Sequence, residues 1–332
     1  MPNPAVQDVH VDEVLTNFSL AYMQGDQEFV ATKVFPVVPV QKQSDKYARF
    51  TKGDFNRDAM KKRAPGTESS GGGWNIDTSQ TYYADVYAHH KDIDAQTRAN
   101  ADTWANLDKA TSEWLARIAL IRQEKDFVST YMAGGVWTSD WDGVATSAEV
   151  VDATKVLRWD DQASTPIENV RDLKRAVQLE SLVRPNIACM GRKVFDKLLD
   201  HPDIMDRIKY GQTAGGPAMA NRERLAALFE LDAIYVMDAV ENIAEEGQTA
   251  SMSYIGGNDF LLAYRPPTLS TMSMMSGATF VWNGYAPGWA GGQGVSVIPM
   301  RHLKSDRYEI ELAFDQKLIC ADAGGFIDNV VS

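Results

Sequence analysis

Residues 41 to 92 set the hardest condition on any fold for this chain. From Gln41 to Glu68, eight basic residues (Lys42, Lys46, Arg49, Lys52, Arg57, Lys61, Lys62 and Arg63) stand against four acidic ones (Asp45, Asp54, Asp58 and Glu68), a local charge of +4. The whole chain of 332 residues carries −12. Ala64-Pro65-Gly66 marks a turn and Gly71-Gly72-Gly73 a flexible tip, because proline and glycine punctuate regular structure. Beyond them, Gln80 to Tyr87 is rich in β-favouring residues. The pattern predicts a long two-stranded hairpin protruding from the body. An isolated hairpin is marginal in water and needs a partner. A basic ribbon on an acidic molecule points to another copy of the same chain.

The acidic balance argues against tight, sequence-independent binding of duplex DNA, which needs clustered Lys and Arg to displace phosphate counterions. It leaves room for a protein that contains DNA while touching it weakly. Length and a 44% hydrophobic fraction allow two compact domains with a sizeable core. Cys189 and Cys320 have neither metal nor redox spacing and read as buried thiols. The N-terminus lacks the basic-then-apolar pattern of a signal peptide, and no run is long and apolar enough for a membrane span. The expectation is a protein made in the cytoplasm.

Residues 1–40 read as an extended arm with one helical patch, Val11, Val14, Leu15, Phe18 and Tyr22. Phe35 to Val40 cannot continue a helix, because Pro36 and Pro39 lack an N–H and restrict their predecessors. This apolar piece is expected to lie along another surface. A long helix is expected over 102–133, capped by Asp102 and ended by Gly134-Gly135. Its apolar face would be Trp104, Leu107, Thr111, Trp114, Leu115, Ile118, Ile121, Lys125 and Val128. About 30 residues at ~1.5 Å each make a spine of roughly 45 Å. Thr165-Pro166-Ile167-Glu168 reads as a capping box opening a second helix. From Pro185 onward, short helices (Arg192–Leu199, Asp203–Tyr210, Arg222–Phe229) alternate with strands (Pro185–Met190, Ala233–Met237, Ser251–Ile255, Phe260–Tyr264, Thr279–Trp282), giving an α+β domain with a central sheet. Ser296–Pro299, Arg307–Phe314 and Gln316–Cys320 read as strands returning to the spine.

This order of elements resembles the Hong Kong 97-type fold of tailed-bacteriophage major capsid proteins. Phe35-Pro36 with Val40 and Tyr47 is similar to that family's arm entering its extended loop, and Arg63 to Gly66 to the loop tip. Asn100 to Met132 resembles the spine helix, and Pro185 to Gly191, followed by Leu198-Leu199 and His201 to Ile204, the start of the axial domain. Leu261 to Pro267 and the closing Ala321 to Gly325 also fit. The resemblance implies an N-terminal arm (1–40), an extended loop (41–92), a peripheral domain with the spine (93–183), an axial domain (184–290) and return strands of the peripheral domain (291–332). It implies pentamers and hexamers of an icosahedral shell enclosing double-stranded DNA. Arg49, Lys52, Arg57, Lys61, Lys62 and Arg63 would contact neighbouring subunits from the loop, and Phe35, Val37 and Val38 from the arm. A loop starting near residue 41 leaves no room for a fused scaffolding segment. The expected partners are therefore a separate scaffolding protein, a portal and a decoration protein, with no cofactor. Assembly would occur in the host cytoplasm, and the product would be the virion shell. An encapsulin-type compartment is the near rival and an α/β enzyme the distant one.

Catalytic and ligand signals are weak. His89-His90, beside Asp92 and Asp94, is the one metal-like cluster, but adjacent strand residues point to opposite faces. Gly71-Gly72-Gly73 lacks the Lys and Ser/Thr of a phosphate loop. Asp160-Asp161 reads as a solvated turn, and Met272, Met274 and Met275 as ordinary packing or a pliable contact surface.

Overall fold

The structure, a computed structural model, describes residues 24–50, 52–101, 106–210, 221–268, 273–285 and 293–332. The expected patch at Val11–Tyr22, the cap at Asp102, Trp104 and Met272 lie outside these residues. The chain is α+β, with two main sheets and a long helix between them.

The spine helix runs Leu107–Tyr131, 25 residues, or about 37 Å at ~1.5 Å per residue. Asn106 caps it, its side chain accepting from the Lys109 amide at 3.0 Å. The buried face differs from the expected one. Thr111, Leu115, Ala119, Gln123, Glu124, Phe127 and Tyr131 are inside, while Trp114 and Lys125 are exposed. The helix serves two cores, which a single repeat of bulky residues does not reveal. Leu115 and Ala119 pack on Ile310, Leu312 and Phe314 of one sheet. Phe127 and Tyr131 pack with Ile187, Cys189 and Leu261 of the other.

The five-stranded sheet is organised by one strand, Ser305–Leu318. Gln293–Met300 and then Gly277–Trp282 pair along one edge of it. Asp85–Asp94 pairs along the other, in antiparallel register from Asp94↔Ser305 to Asp85↔Phe314. The residues read as two strands, Arg307–Phe314 and Gln316–Cys320, are thus one. Asp315 does not break it, because its carboxylate accepts from the Tyr83 amide at 2.8 Å. The six-stranded sheet has the order Ala233–Met237, Ile187–Gly191, Phe260–Ala263, Gly324–Asp328, Ser139–Val144, Lys155–Leu157. Sheet membership therefore crosses the expected divisions. Gly324–Asp328 lies inside the six-stranded sheet instead of returning to the spine, and Gly277–Trp282 joins the five-stranded one.

The arm finds a surface to lie along within its own subunit. Val37–Val40 pairs in parallel with Thr279–Trp282. Just before it, the Phe35 ring meets Phe127 edge-on at 5.1 Å, with Tyr131 at 4.9 Å and Trp137 at 6.5 Å. Gly277 makes room for that ring, since a Cβ there would sit 2.3 Å from Phe35 Cζ. The second helix, Pro166–Ser181, starts with proline in its first turn as expected, but the Thr165 side chain makes no cap hydrogen bond. Its capping box is absent.

Candidate assembly interface

The ribbon leaves the body through two short ladders, Ser44–Lys46 with Thr81–Tyr83 and Arg49–Phe50 with Ile76–Asp77. Between them two residues, 47 and 48, face three, 78 to 80, so the pairing slips by one. That is a bulge, which bends and twists a ribbon locally. Asp77 helps to hold it, accepting from the Ser79 amide at 2.9 Å. A single helical turn, Lys52–Phe55, follows the outgoing leg. Residues 56–79 are all exposed, and Met60 (92%), Trp74 (61%) and Ile76 (51%) present apolar surface to solvent. The expected long hairpin is therefore paired only near its root. Farther out it is an open loop turned at Gly66, whose φ of +79° suits glycine.

The six loop cations do not share one environment. Arg57, Lys61 and Lys62 are exposed and make no ion pair among the described residues. Arg63 donates to the Thr67 carbonyl and is otherwise exposed. Arg49 stands opposite Asp77 in the outer ladder. Lys52, expected to reach a neighbour, binds its own body. Its Nζ donates to Glu180 O at 2.9 Å, Glu180 Oε2 at 3.2 Å and Asp322 Oδ2 at 3.0 Å. The reason is position: Lys52 lies at the ribbon's root, within reach of the second helix and the turn at Asp322. Hydrogen bonding to Asp322 and Glu180 raises its pKa, although burial works against this.

The three arm residues also separate. Phe35, expected as an inter-subunit contact, is 0% exposed in its own core and is not available to a neighbour. Val38 is half-buried against the cluster of Tyr82, Ala278 and Phe280. Val37 is 38% exposed.

Sequence reasoning missed an acidic sheet face. Along Ser305–Leu318, Tyr308, Ile310 and Leu312 face the spine helix, so Arg307, Glu309 and Glu311 face the opposite side. Arg307 is held there by both carboxylate oxygens of Asp92, at 2.8 and 3.0 Å. Glu311 accepts from the Tyr285 hydroxyl at 2.9 Å. The alternation of charge with apolar residues from Arg307 to Leu312 was the available signal.

Chemistry set aside from the sequence stays unassembled. Among the described residues no group of three or more His, Cys, Asp or Glu could hold a metal ion. His89 and His90 pair across the sheet with Ile310 and Glu309 and so face opposite sides. Cys189 and Cys320 are buried and unpaired. Asp160 accepts from the Ser332 hydroxyl at 2.6 Å, and Asp161 forms a turn that receives the Ala163 amide at 2.9 Å. Among the described residues one serine–histidine contact is found, Ser164 Oγ to His201 Nε2 at 3.0 Å, with both residues buried. It has the wrong polarity for nucleophilic catalysis. Nδ1 of His201 accepts from the Asp203 amide at 3.2 Å, so the ring proton sits on Nε2 and points at the serine. Ser164 in turn donates to Asp161 O at 2.7 Å. This chain of bonds ties a turn to a helix start. No helix among the described residues is long and apolar enough to cross a membrane.

Comparison with known proteins matches this architecture. The model of the family described as "Phage major capsid protein E" matches residues 109–260. The major capsid protein of Pseudomonas phage JBD67 is 28% identical over 275 residues, covering 81% of each chain. That of Burkholderia phage BcepMu is 24% identical over 258 residues, covering 77% of this chain and 76% of its own. Among solved structures, a phage-related protein from Bordetella bronchiseptica RB50 aligns with a TM-score of 0.67 at 20% identity, covering 92% of this chain and 94% of its own. The mature capsid of bacteriophage PhiM1 aligns at 0.56 and 14% identity, covering 96% and 92%. The SrpI encapsulin of Synechococcus elongatus aligns at 0.56 and 11%, covering 97% and 98%, and shares the fold. The architecture is the Hong Kong 97-type fold of viral and compartment shells. Within that class, the curated relatives that match over three quarters or more of both chains are phage major capsid proteins, and the chain is similar to them.

Proposed function

We propose that the chain assembles into pentamers and hexamers of an icosahedral shell that encloses double-stranded DNA without reading its sequence. The observation that carries this reading is the ribbon at residues 56–79. It is exposed throughout, shows apolar Met60 and Trp74, and carries Arg57, Lys61 and Lys62 without a partner among the described residues. Such a segment gains stability only by lying against something else.

The acidic sheet face gives the ribbon a complement on a neighbouring copy. Opposite charge across such a contact fixes register and rejects wrong partners more than it adds affinity. Modest contacts then multiply, because each subunit touches several others. Arg57, Lys61, Lys62 and Arg63 are the loop contacts in this reading, with Arg49 nearer the root, and Val37 and Val38 are the arm contacts. The spine and five-stranded sheet form the peripheral part of the subunit, and the six-stranded sheet the part nearest the capsomer axis. The shell works with a separate scaffolding protein, a portal and a decoration protein, is built in the host cytoplasm, and performs no catalysis.

Electron microscopy of the purified protein tests the reading. Uniform closed particles are expected from the wild type, and a triple variant, Arg57→Glu, Lys61→Glu and Lys62→Glu, should remain folded yet yield none. Normal particle yield from that variant removes the ribbon's role.

A further inference from the structure

Glu124 is a charged residue type placed where charge is costly. It sits on the spine helix, 1% exposed, facing Val30 and Ala31 of the arm and Cys189 of the six-stranded sheet. Its carboxyl reaches across to the arm. Oε2 accepts from the Val30 amide at 3.0 Å and the Ala31 amide at 2.8 Å, and Oε1 from the Val30 amide at 3.2 Å. Those are the leading amides of the turn Ala31–Val34, which have no acceptor within the turn itself. The carboxyl thus fastens the start of this turn to the spine, immediately before Phe35 enters its aromatic cluster.

No counter-ion touches it among the described residues. From the arm, Lys33 is the nearby charge, but its ammonium donates to Gln27 O at 2.8 Å. From the six-stranded sheet the facing group is Cys189, whose thiol is pushed up by burial and by the Glu124 charge. On the spine helix itself, Lys125 is engaged by Glu241 at 2.7 Å and Arg122 by Asp126 at 2.7 Å. Burial pushes the Glu124 carboxyl up to about 7, with the Ala31 and Val30 amides pulling the other way.

We propose that Glu124 is a proton-dependent clamp on the arm: neutral, it seats residues 29–35 firmly against the spine, and ionised, it holds them less tightly. Docked, the carboxyl keeps its proton to about pH 7. Released into water, it titrates near ~4.3. The docked state therefore binds the proton more tightly, so docking is strongest below ~4.3, weakens as pH climbs, and levels off above about 7. Over that window the docking equilibrium changes on the order of a hundredfold. The proton comes from solvent, and no other reactant is needed. The clamp rests on contacts within one chain and is separable from the shell reading.

Hydrogen exchange of the full-length protein at several pH values from about 5 to about 8, corrected for the intrinsic chemical rate, tests it. Protection of residues 29–35 should fall on the order of a hundredfold relative to the Phe260–Ala263 strand as pH rises. Glu124→Gln keeps an oxygen acceptor but cannot ionise, and should give a flat profile. A flat wild-type profile, or a Glu124→Gln variant with the wild-type slope, overturns the clamp. If that variant does not fold, infrared spectroscopy of the wild type decides. A buried protonated-carboxyl band that bleaches with a midpoint near 7 supports the clamp, and its absence under mild acid overturns it.

Discussion

Phe35 is closed in by three aromatic rings of its own chain, whereas every residue from 56 to 79 is open to solvent. Both segments belong to the part of the chain ahead of the spine helix, and both read from sequence as candidate contacts between subunits. Only the second is free to be one. The difference lies in what each segment finds at home. Phe35 finds a slot bounded by Phe127 and Gly277. The ribbon's apolar residues, Met60 and Trp74, are separated by charge and glycine and stay largely exposed, at 92% and 61%. On the proposed reading, folding and assembly fall to different residues, and mutations should divide accordingly.

The sharpest way to break that division is Phe35→Ala. Truncating a fully buried ring should cost the isolated subunit about 3–5 kcal/mol, read as a large drop in thermal midpoint. A small drop would mean that the arm is not part of the core. Next is His201→Ala, which takes the donor from the Ser164 hydroxyl and the acceptor from the Asp203 amide. It should cost about 1–3 kcal/mol in denaturant titration. A pH effect is expected from Asp259, whose carboxyl is pushed up to about 6, chiefly by burial and further by Asp328. A raised folded pKa means the folded state holds the proton more tightly, so this group's contribution declines as pH rises from ~3.9 to about 6. Asp259→Asn should flatten the fall in melting temperature across that window. Lys52→Ala should change subunit stability by less than about 1 kcal/mol, because Lys52 and Glu180 are each about half exposed. It frees the ribbon's root, so proteolysis near residue 55 should quicken. The smallest effect on folding and the largest on particles belongs to the charge reversal of Arg57, Lys61 and Lys62. Its unfolding free energy should stay within about 0.5 kcal/mol of wild type.

Local signals were readable where a single element decides its own conformation. Arg192–Leu199 and Ala233–Met237 have the bounds expected from their sequence pattern. The spine was legible as a helix, but its buried face was not. Two different sheets claim opposite ends of it, and the Trp114 side stays outside. Sheet membership was hidden for a related reason. Gly324–Asp328 pairs in parallel with Ser139–Val144 across most of the chain's length, and nothing in either sequence names its partner. At the candidate interface, the unpaired cations of the ribbon could be read from charge alone. Lys52 could not be told apart from them, since its partners Glu180 and Asp322 are distant in sequence. Glu124 carries no local signal, because the Ala31 amide it receives lies 93 residues away in sequence.

The returning leg of the ribbon, Asp85–Asp94, lies alongside Ser305–Leu318 for the whole stretch from Asp85↔Phe314 to Asp94↔Ser305. A pull on the ribbon along its own axis therefore loads these ladder bonds side by side, in shear, and not one after another as a peeling strand would. A container stretched from within by its contents would transmit tension from one tile to the next through that seam, and the seam is laid out in the direction that resists it best.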